Sequence, residues 1–493
     1  MTGDACGQMA SSTVRDAVIV GSGPNGLAAA VTLARAGLEV VVYEGADRIG
    51  GGCSSAELTL PGVVHDVCSA VHPMALASEF FRRFELDRRV ELVVPEISYG
   101  HPLENGRAAI AYRDLERTAD RLAADGETWR RLFGPLLRDD GRALRGMLDG
   151  SLVRMPRHPL ALAGFGLRAL QHGTAFADHV FETDEAAALL TGVFAHTIQR
   201  MPSLGSAAPG LALAAFAHLG GWPVPRGGSG AITAALADDL LAHGGRIETG
   251  TWVRTLDDLP PARATMLDVT PRAFVGLAGG RLTRPSSYRR FRYGNAAAKA
   301  DFVLSEPVPW RNDELRDVVT VHVGGSRDEQ VRAEREVAAG GYAEHPYVLT
   351  AQPTLVDPER APGRHVLWAY THVPAGSGED PTEAIVSRIE RFAPGFRDTV
   401  VASASQSAAQ LAARNPNDVA GDIASGAVSF GQLVARPTFG PDPWRTSLRG
   451  VYLCSASTAP GPGVHGLAGW NAARRALRHE FGIAAEPDLS LGA

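Results

Sequence analysis

The chain of 493 residues contains little cysteine, and none of it in a redox or metal-binding pattern. Its four cysteines, Cys6, Cys53, Cys68 and Cys454, form no CxxC pair and have no zinc-type spacing. This absence argues against a disulfide framework, a metal site and the paired thiols of a disulfide reductase. It favours a reducing compartment, and we therefore expect a cytoplasmic protein without a bound metal.

Positive charge is also in short supply. The 48 lysines and arginines are outnumbered by 54 aspartates and glutamates, which gives a formal net charge of −6. Proteins that bind a nucleic-acid backbone usually carry a basic surface, so nucleic acid is not an expected partner. The first residues lack the basic and apolar regions of a signal peptide, and we expect them to form a short lead.

No apolar run is continuous enough to predict a membrane span. The longest uncharged stretch, residues 201–225, is interrupted by Pro202, Pro209 and Pro223, so we expect buried helices there. A peripheral membrane contact through this stretch stays open as a separate hypothesis. With 45% hydrophobic and 21% charged residues, the composition is that of a globular protein, and the length predicts at least two domains.

The N-terminal region contains a glycine fingerprint in the right structural context. An apolar strand precedes GSGPNG, and a small-residue helix and a second strand follow it, which predicts a βαβ unit. Gly21 permits the tight turn, Gly23 lets the backbone approach a pyrophosphate, and Gly26 lets the helix pack closely on the strand. The free N–H groups at the helix N-terminus, around Pro24, favour the phosphates of a dinucleotide.

An acidic residue completes this unit. Glu44 ends the second strand, where a carboxylate accepts hydrogen bonds from ribose hydroxyls and repels a 2′-phosphate. The motif alone does not separate FAD from NAD. The next residues, EGADRIGGG at 44–52, place an arginine and a run of glycines directly after the acid. GGSG at 227–230 has the wrong spacing for a second fingerprint, so a separately bound NAD(P) is not expected.

These motifs resemble those of two related groups of flavoenzymes. GSGPNG together with YEGADRIGGGCSS resembles the FAD-binding start of the flavin amine oxidases and of the phytoene desaturase-like carotenoid oxidoreductases, which have a glutathione reductase-type FAD fold. The C-terminal GVYLCSASTAPGPGVHGLAGWNAARRAL and the segment NPNDVAGDIASG resemble the second group more closely. Where amine oxidases carry an acid in the C-terminal strand motif, this chain has Ala456, which counts against an amine oxidase.

The resemblance implies FAD as the cofactor and assigns residues to it by position. It implies that Glu44 holds the adenosine ribose and that Val253 offers backbone atoms to the adenine. It also implies that Arg48, Gly51 and Gly52 line the path of the pyrophosphate and the ribityl chain.

The same resemblance places a C-terminal loop at the flavin ring. Val464, His465 and Gly466 are expected beside the isoalloxazine, with Asp422 close to the cofactor. A glycine loop that opens a helix presents N–H groups to a flavin carbonyl, which favours the reduced flavin.

Three histidines are the candidate catalytic residues: His65, His72 and His465. For each of them a hydrogen-bonded structural role is the alternative. Lys299 and Asp301 alternate along a predicted strand and therefore share a face, which the resemblance places by the substrate cavity. A solvated ion pair is the alternative for these two.

We expect an α/β fold with a Rossmann-like FAD-binding domain assembled from discontinuous segments, and an α+β substrate domain with a mixed sheet and helices. The predicted FAD-binding domain comprises residues 14–78, 223–285 and 415–493, and the predicted substrate-binding domain comprises residues 79–222 and 286–414. Charged, helix-favouring residues predict that 79–170 form a helical insertion.

The leading hypothesis is a desaturase-like FAD-dependent dehydrogenase. It would transfer hydride between flavin N5 and an apolar isoprenoid or polyene-like substrate, with few protein groups required. One alternative is a reductive cyclase, saturase or isomerase of a polyene or polyketide with the same flavin. The other is a non-catalytic FAD-fold binding or scaffold protein.

Overall fold

The computed structural model describes residues 14–148, 150 and 158–492, so the predicted lead and Cys6 lie outside the described residues. The strands are, in chain order, β1 (Arg15–Val20), β2 (Val40–Tyr43), β3 (Ser55–Glu57), β4 (Val64–Asp66), β5 (Leu92–Val93), β6 (Ile97–Pro102), β7 (Ala108–Tyr112), β8 (Val224–Pro225), β9 (Arg246–Glu248), β10 (Ala262–Leu267), β11 (Ala296–Leu304), β12 (Thr320–Val323), β13 (Val348–Ala351), β14 (His365–Val373), β15 (Val400–Gln406) and β16 (Val451–Leu453). The α-helices are α1 (Pro24–Ala34), α2 (Glu79–Arg83), α3 (Leu86–Arg89), α4 (Leu115–Arg121), α5 (Gly126–Leu148, interrupted at residues 138–141), α6 (Pro159–His172), α7 (Asp184–Phe194), α8 (Leu204–Leu219), α9 (Gly230–Ala242), α10 (Pro271–Leu277), α11 (Pro285–Arg289), α12 (Arg327–Ala338), α13 (Thr382–Phe392), α14 (Phe396–Thr399), α15 (Ala408–Arg414), α16 (Phe430–Val434) and α17 (Leu467–Glu480).

The first sheet is entirely parallel, with the strand order β16-β10-β1-β2-β9. Its strands come from distant parts of the chain, and β1 and β2 are apolar and mostly buried, as strands with both faces covered must be. Helices α1, α9 and α17 share one hydrophobic core with it. The predicted fold class, with a discontinuous nucleotide-binding domain, is confirmed, whereas the exact domain boundaries stay a prediction.

The second sheet is mixed and has the strand order β15-β11-β14-β13-β12-β6-β7. One face contacts α5 to α8 and α12 through a core rich in rings, and the other face packs on α13. The large side chains of the first core include Tyr99, Trp129, Phe133, Phe194, Trp222 and Trp368. This core is the interior of the substrate domain.

The expectation of a purely helical insertion at 79–170 is wrong. The stretch contains β6 and β7, which form one edge of the mixed sheet, before the helices α4 to α6 begin. The sequence did not predict these strands, because Gly100, His101 and Pro102 are poor strand formers and because charged segments surround them. Tertiary pairing with β12 overrides the weak local preference.

The uncharged stretch 201–225 forms α8, β8 and the turn between them. Ser203 caps α8 by accepting a hydrogen bond from the N–H of Ser206, and side chains such as Leu211 and Phe216 are buried. No helix within the described residues is both long and apolar enough to cross a membrane.

A buried arginine, Arg360, lies in the segment between β13 and β14, where that segment meets β4 and β8. Its guanidinium donates to Asp357 at 2.7 Å, to Asp66 at 2.5 Å and to the carbonyl oxygen of Pro225 at 2.6 Å. The second oxygen of Asp66 accepts the N–H of Ser229 at 2.6 Å. All three charged side chains are essentially inaccessible to water, so Arg360 ties β4, the loop before α9 and the substrate domain together.

We predict that Arg360→Leu strongly destabilises the protein. Removal of one partner from a buried ion pair leaves an uncompensated charge, here that of Asp66, and lowers the free energy of unfolding by about 3–5 kcal/mol. Urea unfolding measures the change. Arg397→Leu is the control, because Arg397 and its partner Glu383 are exposed and should contribute little. Equal effects of the two substitutions would contradict this role for Arg360.

Candidate cofactor-binding and active site

The turn between β1 and α1 is so close that only glycine fits at its three key positions. Gly21 has a φ of +96°, in the left-handed region. A Cβ at Gly26 would lie 2.1 Å from the carbonyl oxygen of Gly21, and one at Gly23 would lie 2.7 Å from Oδ2 of Asp268. Pro24 then opens α1, a position that suits its fixed φ and missing N–H. The N-terminus of α1 is therefore bare backbone, as a bound pyrophosphate requires.

Glu44 folds back from the end of β2 towards this turn. One carboxylate oxygen accepts hydrogen bonds from the backbone N–H of Ser22 at 2.8 Å and from its hydroxyl at 2.5 Å. The other accepts the N–H of Ala46 at 2.9 Å. The side chain is only half-buried, so its oxygens retain lone pairs for further donors. Two carboxylate oxygens at the end of β2 suit the hydroxyls of a ribose as hydrogen-bond acceptors.

The loop after Glu44 leads from the glycine turn towards the substrate domain. A Cβ at Gly51 would lie 3.5 Å from the Cα of Gly23, and one at Gly52 would lie 3.8 Å from Sγ of Cys68. Gly51 is exposed and Gly52 is half-buried, so their backbone is accessible along this path. Arg48 is exposed as well. The loop fits the phosphate and ribityl part of a dinucleotide.

The predicted flavin loop, residues 464–466, comes from the other end of the chain and lies beside α1. The helices α17 and α1 touch, because a Cβ at Gly469 would lie only 1.8 Å from the carbonyl oxygen of Asn25. Gly466 has a φ of +66° and directly precedes α17, and Val464 is half-buried. The fold therefore brings the two glycine motifs together.

Both ring nitrogens of His465 are occupied by the backbone of its own loop. The N–H of Leu467 donates to Nδ1 at 3.0 Å, so the proton is on Nε2, which donates to the carbonyl oxygen of Gly461 at 3.1 Å. Burial lowers the pKa of His465 to about 4, and the ring is neutral at pH 7. His465 orders the loop in this structure, and its catalytic role stays a prediction.

His72 and His65 differ from His465, because each has a ring nitrogen without a hydrogen-bond partner. Ser229 donates its hydroxyl proton to the carbonyl oxygen of Ser69 at 2.5 Å, so Nε2 of His72 donates to that hydroxyl at 2.8 Å and Nδ1 is left unprotonated. Nε2 of His65 lies 2.7 Å from the hydroxyl of Thr59. Burial lowers the pKa of both imidazoles to about 4, which makes them neutral, weak bases.

Lys299 and Asp301 share a face of β11 and form a buried ion pair of 2.8 Å. Nζ of Lys299 also donates to the carbonyl oxygens of Asp66 and Val67, each at 2.9 Å. Burial raises the pKa of Asp301 to about 6, although Lys299 acts in the opposite direction. The other oxygen of Asp301 lies 3.7 Å from Nδ1 of His65. The pair is therefore buried rather than solvated.

A row of rings runs from Lys299 into the substrate domain. Nζ of Lys299 lies 5.9 Å from the ring centre of Trp368, which lies 5.3 Å from that of Tyr370. His372 follows at 5.6 Å, and Tyr347 stacks on His372 at 5.1 Å. These side chains line the interior of the substrate domain, on the face of the mixed sheet that meets α7 and α12.

Two further predicted cofactor residues, Val253 and Asp422, lie at the edges of the site. Val253 packs beside the carboxyl ends of β1 and β10, the end of a parallel sheet at which dinucleotides bind. Asp422 is buried, and its carboxylate accepts the N–H groups of Gly294 at 2.7 Å, Gly426 at 2.9 Å and Ala424 at 3.0 Å. It orders its own loop, and its contact with the cofactor stays a prediction.

Sequence reasoning missed two residues at the dinucleotide end. Asp268, directly after β10, accepts the N–H of Gly26 at 3.0 Å. Burial, with the nearby charge of Glu44, raises the pKa of Asp268 to about 7. Trp252 is half-exposed and covers Gly45, where a Cβ would lie 2.2 Å from its ring. The sequence feature that could have identified Asp268 is the position of an acidic residue directly after a buried parallel strand.

The chain is similar to known flavoproteins over most of its length. The sequence profile of the family described as flavin containing amine oxidoreductase matches residues 25–275, just over half of the chain. A protein of Rattus norvegicus, pyridine nucleotide-disulfide oxidoreductase domain-containing protein 2, is 26% identical over 545 aligned residues, which cover 94% of this chain and 93% of the rat protein.

Solved structures share the fold. A putrescine oxidase with bound putrescine is 19% identical with a TM-score of 0.57, and the match covers 95% of this chain and 100% of that chain. Cyclohexylamine oxidase from Brevibacterium oxydans is 15% identical with a TM-score of 0.54, over 96% of this chain and 99% of that chain. Because the family profile covers half of the chain, this protein belongs to the flavin-containing amine oxidoreductases: it is an oxidoreductase, and its cofactor is FAD.

Proposed function

We propose that the protein is a phytoene desaturase-like, FAD-dependent dehydrogenase of an apolar isoprenoid or polyene-like substrate. The substrate would lie in the substrate domain, against the rings of β14 and below α7 and α8. FAD, when bound, supplies the two-electron redox chemistry. The chain's own residues then have to bind an apolar molecule, exclude water and take up one proton.

This proposal rests on one observation: the buried carboxylates that face the helices of the substrate domain already have partners within the protein. Asp301 is neutralised by Lys299 at 2.8 Å, and Glu334 contacts His372 at 2.5 Å. A substrate ammonium that leaves water needs a carboxylate of its own. Most other side chains of this interior are rings and alkyl groups, beside a few buried polar groups such as His322 and Gln330, and this lining suits an apolar substrate better.

Proton uptake needs a free acceptor, and His72 provides one. Its Nδ1 is unprotonated and has no hydrogen-bond partner, while Nε2 is held by Ser229. With a pKa lowered to about 4 it is a weak base, which is sufficient for a proton that leaves an activated carbon. His65 also has a ring nitrogen without a hydrogen-bond partner, Nδ1, which lies 3.7 Å from a carboxylate oxygen of Asp301.

Amine oxidation is a second candidate, favoured by one specific observation. Oδ1 of Asp301 and Oε2 of Glu334 are buried and have no hydrogen-bond partner, so either could accept an N–H from a substrate amine. The names of the two solved structures reported above describe enzymes that act on amines. Ala456, in place of the acid of amine oxidases, speaks against this candidate.

The proposed location is the cytoplasm. Cys53, Cys68 and Cys454 are free thiols, which supports a reducing compartment.

We predict that Glu44→Gln weakens FAD binding about tenfold, because the amide replaces charged acceptors with a neutral one beside the ribose hydroxyls. Titration of the apoprotein with FAD, followed by the quenching of flavin fluorescence, measures the affinity. Glu57→Gln, an exposed change in β3, is the control and should leave the affinity unchanged. Unaltered binding by the Glu44 variant would remove Glu44 from the cofactor site.

We predict that FAD binds more weakly as the pH rises through about 7. Asp268 has its pKa raised to about 7 and shares the N-terminus of α1 with the pyrophosphate. It is neutral below that pH and repels the phosphates above it, so the affinity at pH 8 should be about tenfold lower than at pH 6. Asp268→Asn should abolish the dependence. A wild-type affinity that is flat between these pH values would contradict the placement of the pyrophosphate.

We predict that a partly saturated isoprenoid, added without oxygen to the FAD-loaded protein, bleaches the visible flavin absorbance and loses two hydrogens. Putrescine and cyclohexylamine should leave the spectrum unchanged. Mass spectrometry of the extracted lipid provides the second measurement.

Each other outcome selects another function. Bleaching by the amines alone would establish the amine candidate, and bleaching by NADPH alone would favour a saturase, reductive cyclase or isomerase. A flavin that stays oxidised with every donor would indicate a binding or scaffold protein.

A further inference from the structure

Helix α6 and the turn after it present an apolar stripe to solvent. The stripe consists of Leu160, Leu167, Leu170 and Phe176, whose exposed fractions are 88%, 68%, 50% and 72%. The three leucines recur at helical spacing and so lie on one face of α6. Contiguous exposed groups of this kind are rare on monomeric proteins and mark contact surfaces.

A second surface carries unpaired positive charge, and we call residues 284–292 the arginine segment. It contains Arg284, Arg289, Arg290 and Arg292, all exposed, and the sequence has no Asp or Glu from 269 to 300. Among the described residues, none of these four guanidinium groups forms an ion pair, whereas the preceding Arg281 is paired with Asp257. The arginine segment is therefore a local concentration of positive charge in a chain whose net charge is −6.

The arginine segment contacts α16 directly. The N–H of Arg292 donates to the side chain of Gln432 at 2.9 Å, and Gln432 donates back to the carbonyl oxygen of Arg292 at 2.8 Å. Phe430, at the start of α16, is 55% exposed. The basic segment therefore has an exposed aromatic ring next to it.

The start of α16 is in turn connected to the stripe. A Cβ at Gly205, near the N-terminus of α8, would lie 3.1 Å from the Cα of Ser429. A Cβ at Gly173, which caps α6, would lie 3.0 Å from the Cα of Leu204. The end of α6 and the start of α16, which contacts the arginine segment, are therefore connected through the start of α8.

A narrow apolar cleft lies between the end of α6 and α7. It is lined by His172, Phe181, Leu190, Phe194 and Met201. Leu190, Phe194 and Met201 also belong to the ring-rich core of the substrate domain, so the cleft adjoins this core.

We propose that the apolar stripe and the arginine segment together bind the surface of an anionic lipid bilayer. The exposed leucines and phenylalanines would enter the acyl boundary, and the arginines would contact the lipid phosphates. A second copy of the chain fits less well, because its like-charged arginines would meet across an isologous contact. The proposed membrane contact lies on α6 rather than on the uncharged stretch 201–225, because that stretch is largely buried.

The proposal is tested by co-sedimentation of the FAD-loaded protein with vesicles. We expect binding to vesicles of equal parts phosphatidylglycerol and phosphatidylcholine, loss of binding at high salt, and little binding to phosphatidylcholine alone. Vesicle binding does not depend on catalysis. Absence of binding would therefore leave the proposed dehydrogenase function intact, and absence of dehydrogenase activity would leave the vesicle test valid.

Two matched pairs of variants locate the surface. The triple variant Arg289→Gln, Arg290→Gln and Arg292→Gln should lower the partition coefficient roughly 100-fold. Its control removes three exposed but ion-paired arginines elsewhere: Arg88, Arg316 and Arg397.

The second pair tests the stripe. Leu167→Ser with Phe176→Ser should lower the partition coefficient at least tenfold, whereas Leu241→Ser, at an exposed leucine of α9, should not change it. Flavin content and gel-filtration volume show that each variant is folded. Unchanged binding by both test variants, no binding by the wild type, or a stripe variant that turns a dimer into a monomer would overturn the proposal.

Discussion

The buried guanidinium of Arg360 is the contact that holds the segment between β13 and β14 against the strands β4 and β8. It holds Asp66, next to the cofactor loops, against Asp357 of the substrate domain. Asp66 also receives the N–H of Ser229, and its carbonyl receives Lys299. One arginine therefore orders the segment that connects the dinucleotide end of the site with the row of rings. Without it, Asp66 would be a buried carboxylate without an ion-pair partner, and Asp357 would keep only Arg226 at 3.5 Å.

The two ends of the site follow different physical rules. At the dinucleotide end, glycines leave bare backbone at the N-terminus of α1, and two carboxylates, Glu44 and Asp268, frame it. At the substrate end, charge is cancelled within the protein by pairs such as Lys299 and Asp301, and rings fill the remaining space. This division suits a cofactor with a charged phosphate part and an apolar reacting partner.

The sequence was sufficient for the features that short segments encode. The glycine turn, α1 and Glu44 could be predicted because their residues are consecutive and their chemistry is local. Arg360 could not, since it meets Asp66 across 294 positions, and neither could Asp268, which meets Gly26 across 242. The strands β6 and β7 were missed for a related reason, because pairing with β12 forms them against weak local preferences. The partner of Nε2 of His72 is unpredictable for the same reason, because Ser229 lies 157 positions away.

We expect one FAD between the N-terminus of α1 and the C-terminal loop before α17. The decisive measurement is a crystal structure of the protein with FAD. The adenosine ribose should lie at Glu44, the phosphates at the turn between Gly21 and Gly26, and the flavin ring between Lys299 and Val464. Density for FAD elsewhere, or a glycine turn that stays empty at saturating FAD, would contradict it.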